Sequence, residues 1–174
     1  MSCGPESRPR PTGQLRIDLP AHTYAEAETR CPYTLEIPGY AHIRERSAND
    51  SLCWSDLVFP GQSATVHLTY KRLDGNLAQV LDEAIGLTYE HHIMADNIEN
   101  ETIVLPESQV YGTVSKVYGN VASHLQFYVT DSSEHFLRGA LYFNAPPNMD
   151  SLAPVVDHLE KDLDHLLSSL RWKE

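Results

Sequence analysis

The chain has 174 residues, with 13 Lys+Arg against 24 Asp+Glu and a formal net charge of −11. That length suits one compact domain with a real core, and 41% hydrophobic residues with 9 Gly and 11 Pro exclude the disordered and low-complexity classes. No apolar run reaches the ~18 to 20 residues that a membrane-spanning helix needs. The acidic balance speaks against a nucleic-acid partner, which calls for a basic surface to displace counterions from phosphates.

Met1-Ser2-Cys3-Gly4 is followed by Pro5-Glu6-Ser7-Arg8-Pro9-Arg10-Pro11-Thr12-Gly13. Prolines, arginines and small residues describe an extended linker over residues 1–13, ahead of a single globular domain over 14–174. No hydrophobic signal region precedes the linker. Ser-Cys-Gly heading a Pro-rich tether is nevertheless how a mature bacterial lipoprotein begins once its signal peptide is removed. We expect Met1 to stand where that signal region would be, and Cys3 to be the lipid attachment site. The alternative is a cytosolic protein with an exposed thiol on its tail. Cys31 and Cys53 then remain as one available pair. In an oxidising envelope compartment they read as a disulfide whose loop of about 20 residues contributes roughly 3 kcal/mol; otherwise they are two buried thiols acting as small hydrophobes.

Further along, Tyr33 to Ile37 alternates and stops at Pro38-Gly39, a strand and a turn. Ala41 to Arg46 and Leu52 to Phe59 are further strands, the second closed by Pro60-Gly61. Ala64, Val66, Leu68 and Tyr70 alternate with polar residues in a half-buried strand. After Asp74-Gly75-Asn76 the period changes, and Leu77, Val80, Leu81, Ala84, Ile85 and Thr88 recur at helical spacing, with an end expected between Tyr89 and Met94. Asp96 to Glu107 reads as an acidic loop. From Leu73 to Ser115 there is no Lys or Arg but eight acids, either a solvated face or a docking surface for a basic partner.

Gln109 to Val117, Val121 to Thr130 and Glu134 to Asn144 form a meander joined by the short turns at Tyr118-Gly119-Asn120 and Asp131-Ser132-Ser133. After Pro146-Pro147-Asn148, Asp150 or Ser151 caps a last helix with Pro154 in its first turn. Leu152, Val155, Val156, Leu159, Leu163, Leu166, Leu167 and Leu170 give that helix one broad apolar stripe. This order of elements implies an α+β fold, a mostly antiparallel twisted sheet with helices packed on it.

Gly-rich phosphate loops, G-x-S-x-G and H-E-x-x-H are all missing, and no catalytic residue is assigned. His158, Asp162 and His165 share one face of the last helix. They run beside the apolar stripe, where polar flanking positions are expected, and a lone helix face rarely completes a site, so neither a metal nor a cofactor is expected. His91-His92 are adjacent and so point apart, a poor chelator. In the meander, His124, Gln126, Tyr128 and Thr130 point away from Leu125, Phe127 and Val129. Gln126, Tyr128, Arg138 and Tyr142 would make an adaptable recognition surface, since Tyr and Arg are favoured at binding hot spots. Either face of this sheet can be the one a helix covers.

Longer strings carry a resemblance. Residues 11–20 (Pro-Thr-Gly-Gln-Leu-Arg-Ile-Asp-Leu-Pro), Cys31-Pro32-Tyr33-Thr34-Leu35-Glu36, Cys53-Trp54 and Val66 to Lys71 are joined by Gln126 to Ser132, His135 to Asn144, Asp150 to Val155 and Arg171-Trp172-Lys173. Over roughly residues 11–173 the chain resembles the gliding-motility lipoproteins of the GldD family. The resemblance implies a non-enzymatic envelope lipoprotein anchored to a membrane through Cys3 and facing the periplasm. It further implies a Cys31–Cys53 disulfide and an accessory or assembly role in gliding motility and the linked type IX secretion apparatus. Motility or secretion proteins of the envelope are the expected partners, the membrane protein GldE among them. The element order also resembles a Mog1/PsbP-like sandwich. The competing expectation is a ligand- or metal-binding envelope module with a cryptic activity, motivated by the nine histidines and the acidic belt.

Overall fold

Apolar residues alternating with polar ones, in runs bounded by Pro and Gly, build most of the sheet. The computed structural model describes residues 19–46, 53–89, 95–144 and 149–173. In chain order the elements are β1 (Tyr24–Glu26), β2 (Tyr33–Thr34), β3 (Glu36–Pro38), β4 (His42–Glu45), β5 (Trp54–Phe59), β6 (Ala64–Arg72), α1 (Leu77–Tyr89), β7 (Ala95–Leu105), β8 (Val110–Gly119), β9 (Ser123–Thr130), β10 (His135–Phe143), α2 (Met149–Ser169) and β11 (Arg171–Trp172). A seven-stranded sheet has the order β4-β5-β6-β10-β9-β8-β7, with every neighbouring pair antiparallel. Two small ribbons, β1-β3 and β2-β11, complete an α+β architecture.

The sheet is two meanders, β4-β5-β6 and β7-β8-β9-β10, stitched by the pairing of β6 with β10 over Ala64–Arg72. The helices cover opposite faces. Leu57, Phe59, Val66, Leu68, Leu125, Phe127, Val129, Leu137 and Leu141 share one buried cluster with the α2 stripe of Val155, Val156, Leu159, Leu163, Leu166 and Leu167, and with Leu170 just past the helix end. On the other face Val80 and Ala84 of α1 pack against Leu73 and Phe136, with Tyr128 at the margin. Gly139 has no side chain because a Cβ there would lie 2.2 Å from the Phe127 ring.

Two hairpin turns share one design. After Phe59 and after Leu105 a proline opens a single 3-10 turn, which closes on a left-handed residue, Ser63 (φ 49°) or Gln109 (φ 52°). Proline presets φ for the first turn residue. The β9–β10 turn is held by Asp131, whose Oδ1 accepts backbone N–H bonds from Ser133, Glu134 and His135 at 3.0, 2.9 and 2.8 Å.

Some expectations are corrected. The acidic stretch 96–107 is no loop: residues 95–105 form the long edge strand β7, paired with β8 from Ala95 to Leu105. Its acids disguise it, because an edge strand has one flank in water and charges there block unwanted pairing. Tyr33 to Ile37 is not one strand but β2 and β3, which join different ribbons on either side of the buried Leu35. The last helix begins at Met149, so Pro154 falls in its second turn and leaves the carbonyl of residue 150 without its helical donor. The linker 1–13 with Cys3, the pair His91-His92, and the expected helix end beyond Tyr89 lie outside the described residues.

Cys31 and Cys53 are joined in a disulfide, with Cα atoms 5.5 Å apart and a sequence separation of 22. Replacing both by Ser is expected to lower unfolding stability by about 3 kcal/mol, read from urea denaturation under non-reducing conditions. Equal stability of the double variant and the oxidised wild type would remove the bond from the fold's energetics.

Candidate functional site

Helical spacing puts His158, Asp162 and His165 on one flank of α2, next to the buried leucines. The ribbon β1-β3 and the turn after β3 lie along that flank, and they supply the partners. Asp162, 1% exposed, is the hub. Its Oδ1 accepts from His22 Nδ1 at 2.7 Å and from the Tyr24 hydroxyl at 3.0 Å, and its Oδ2 accepts from the Tyr40 hydroxyl. Having spent its one proton on Asp162, Tyr40 accepts from His158 Nε2 at 2.8 Å. The His22 and His158 rings stack with centroids 4.2 Å apart.

The electrostatics follow from burial around one carboxylate. Burial, and then the Asp162 hydrogen bond, push the Tyr24 hydroxyl up to about 12 and the Tyr40 hydroxyl higher still. Burial, and then the neighbouring His22, press the His158 imidazole below its ordinary value. The hub at neutral pH is therefore two neutral phenols and a neutral imidazole around Asp162. His165, the third residue of the helix-face trio, turns elsewhere. Its Nε2 meets Glu36 Oε2 at 2.6 Å, and its ring stacks on Tyr24 with centroids 3.6 Å apart.

What converges on the hub is His22, His158 and Asp162, whose potential ligand atoms all lie within 4.8 Å of one another. The sequence offers two of these three as an i, i+4 pair. His22 is 136 positions before His158 in a segment without periodicity, and only the packing of β1 beside α2 brings it in. A histidine two residues from a tyrosine on a short strand was the faint signal available.

The four proposed surface residues are not one surface. Gln126 is 1% exposed under α1, where its Oε1 accepts from Thr88 Oγ1 at 3.3 Å and from Arg138 at 2.8 Å. Its place on a recognition surface is corrected: α1 covers the centre of that face. Arg138 instead lines a groove on one side of the helix, with Lys71, Glu83 and Leu87. Tyr128 lines a groove on the other side, with Ile85, Asn100 and Thr102. Tyr142 stands apart, its ring 5.1 Å from that of His67, whose Nδ1 donates to Asp56 at 2.6 Å. Asp56, 2% exposed, also accepts from Arg44 at 2.7 Å and has Arg46 at 3.7 Å.

The profile of a family described as gliding motility lipoprotein GldD matches residues 4–172, nearly the whole chain. The chain belongs to the GldD family. No curated protein matches it. A GldD lipoprotein is a membrane-anchored envelope protein, and among the described residues no helix is long and apolar enough to cross a membrane. Both the hub on α2 and the grooves beside α1 lie within the stretch that the GldD profile covers.

Two buried carboxylates give contrasting expectations. Asp162→Ala strands the Tyr24, Tyr40 and His22 donors together and should cost about 2 to 4 kcal/mol in urea unfolding; His165→Ala, whose Glu36 pair is partly exposed, should cost about 1 kcal/mol or less. For Asp56, burial pushes the carboxyl up, but hydrogen bonds from Arg44 and His67 outweigh it and hold the group below the ordinary carboxylate range. Stability from such a group is complete above the unfolded carboxylate value and is lost as pH falls through the lowered native one. Asp56→Asn should therefore be about 1 to 2 kcal/mol less stable than wild type at pH 7, and the gap should shrink in urea titrations repeated near pH 3.

Proposed function

We propose that this GldD lipoprotein is a non-enzymatic accessory or assembly factor for gliding motility and the linked type IX secretion apparatus, working by protein–protein contact. The observation that carries the reading is the family match over residues 4–172, which takes in every described residue but Lys173. In this reading Cys3 holds the acyl anchor, the domain faces the periplasm, and its partners are envelope motility or secretion proteins such as the membrane protein GldE. One helix on each face of the sheet is also the layering expected of a Mog1/PsbP-like sandwich, and that likeness is part of the proposal.

The docking surface we favour is the α1 face together with the β7 edge. Ile85 and Leu87 of α1 and Val104 of β7 are exposed apolar side chains, 39%, 44% and 60% accessible. They rise among the acids of α1 and β7, and the grooves lined by Tyr128 and Arg138 open beside them. Apolar anchors within a charged surround are the usual anatomy of a transient interface.

Mass spectrometry of what co-purifies with the full-length, natively lipidated protein from gently solubilised membranes tests this. Motility or secretion components should be recovered in stoichiometric amount, and both Cys3→Ala and a Leu87→Asp/Val104→Asp double variant should lose them. Recovery of the protein alone sinks the assembly role, and partners retained by the double variant move the surface elsewhere.

A further inference from the structure

We propose that His22, His158 and Asp162 form a zinc site that fastens the segment leading into β1 to helix α2. Two imidazole nitrogens and one carboxylate oxygen make a ligand set typical of Zn²⁺, which accepts His and Asp donors in a tetrahedron and leaves one position open. Calcium and magnesium prefer all-oxygen shells, so this donor set discriminates against them. The three donor atoms lie within 4.8 Å of one another. Zinc bonds of about 2.0 to 2.1 Å put tetrahedral ligands roughly 3.3 Å apart, so closing on an ion takes a shift of about 1.5 Å at most.

The surroundings fit such a site. His158 and Asp162 are 8% and 1% exposed and fixed on consecutive turns of α2, whereas the His22 side chain is 30% exposed and leaves the hub open to solvent on its own side. The fixed pair waits on the helix and the surface histidine closes over the ion. At present hydrogen-bond protons hold the hub together: His22 Nδ1 donates to Asp162 at 2.7 Å and His158 Nε2 donates to Tyr40 at 2.8 Å. For a cation to bind those two nitrogens, each ring passes its proton by way of solvent to its other nitrogen, so both imidazoles stay neutral and present a lone pair to the ion. The Tyr40 hydroxyl, bonded to both Asp162 and His158, touches two of the three ligand residues and donates to the carboxylate. Tyr24, donating to Asp162 Oδ1 at 3.0 Å, orients the carboxylate from outside, the service that outer hydrogen bonds perform at metal centres. The site differs from the helix-face trio: His165 is committed to Glu36, and His22 takes its place.

The test uses the full chain purified without a histidine tag and stripped with chelator, then titrated with ZnCl₂ by calorimetry. CoCl₂ in a parallel titration reports coordination through its visible absorption. A single equivalent of zinc, intense tetrahedral cobalt bands and a rise of several degrees in Tm are expected. His22→Ala and His158→Ala should abolish all three, and Tyr40→Phe should weaken binding roughly 10- to 100-fold. His165→Ala and the double variant His91→Ala/His92→Ala should bind like wild type. Asp162→Asn tests the carboxylate directly, and because it can unfold the domain, the surface variant His22→Ala decides the matter, with circular dichroism confirming its fold. Absence of a stoichiometric site at micromolar free zinc overturns the proposal. So does binding that survives His22→Ala or that disappears with His91 and His92.

Discussion

The structure depends on α2 lying flat against the sheet. One face of seven strands presents Leu57, Val66, Leu68, Phe127, Val129, Leu137 and Leu141, and only a long, unbroken apolar stripe can cover it. The α2 leucines supply it together with Leu170 just past the helix end, and Leu159, Leu163, Leu166, Leu167 and Leu170 are each 3% exposed or less. At roughly 1.5 to 3 kcal/mol for a buried leucine, these five outweigh any polar contact in the molecule. Once the stripe is seated, the flank beside it is fixed, and with it the positions of His158, Asp162 and His165. The N-terminal ribbon then packs along that flank, so the hub inherits its geometry from the hydrophobic seal.

The opposite face obeys a different rule. α1 has fewer apolar residues to bury, and the sheet beneath it carries Gln126, Arg138, Tyr128 and Ser115 among its apolar neighbours. Buried polar groups generally find partners; here Gln126 Oε1 finds them in Arg138 and in the helix through Thr88, while its Nε2 has none among the described residues. The seal on this side is narrower, which leaves a groove along each side of α1 and hydrophobic side chains at its outer surface. The two faces thus divide their tasks between holding the domain together and offering surface.

Much of the fold was legible in sequence because it is local. Alternation in Ala64–Tyr70 and helical spacing from Leu77 to Thr88 and from Leu152 to Leu167 map directly onto β6, α1 and α2, while Leu170 of the expected stripe falls one residue past the helix. The turn at Asp131 was readable because its carboxylate does the capping in place. β7 was hidden because its charges answer to solvent on an open edge rather than to a core. β1 and β11, at 3 and 2 residues, are too short for any period to show. Of the hub, the α2 half was visible and the His22 half was not, since a contact across 140 positions leaves no local trace. The face covered by α1 could not be chosen in advance, because both faces of β9 carry side chains large enough to pack.

The disulfide also determines how the domain meets a pull from its N-terminal side. Load entering at residue 19 can draw out the chain only as far as Cys31, twelve residues or about 40 Å of extended backbone. There it leaves the chain's own order and crosses to Cys53, immediately before β5. Everything between, β2, β3 and β4 included, sits inside a closed covalent loop, and once β1 has been stripped from β3 the backbone tension bypasses it. The force arrives instead in β5, where Trp54–Phe59 is registered against β6 within the sealed sheet. A domain tethered by that end would lengthen by a fixed amount and then hold, with its sheet and α2 seal still in place.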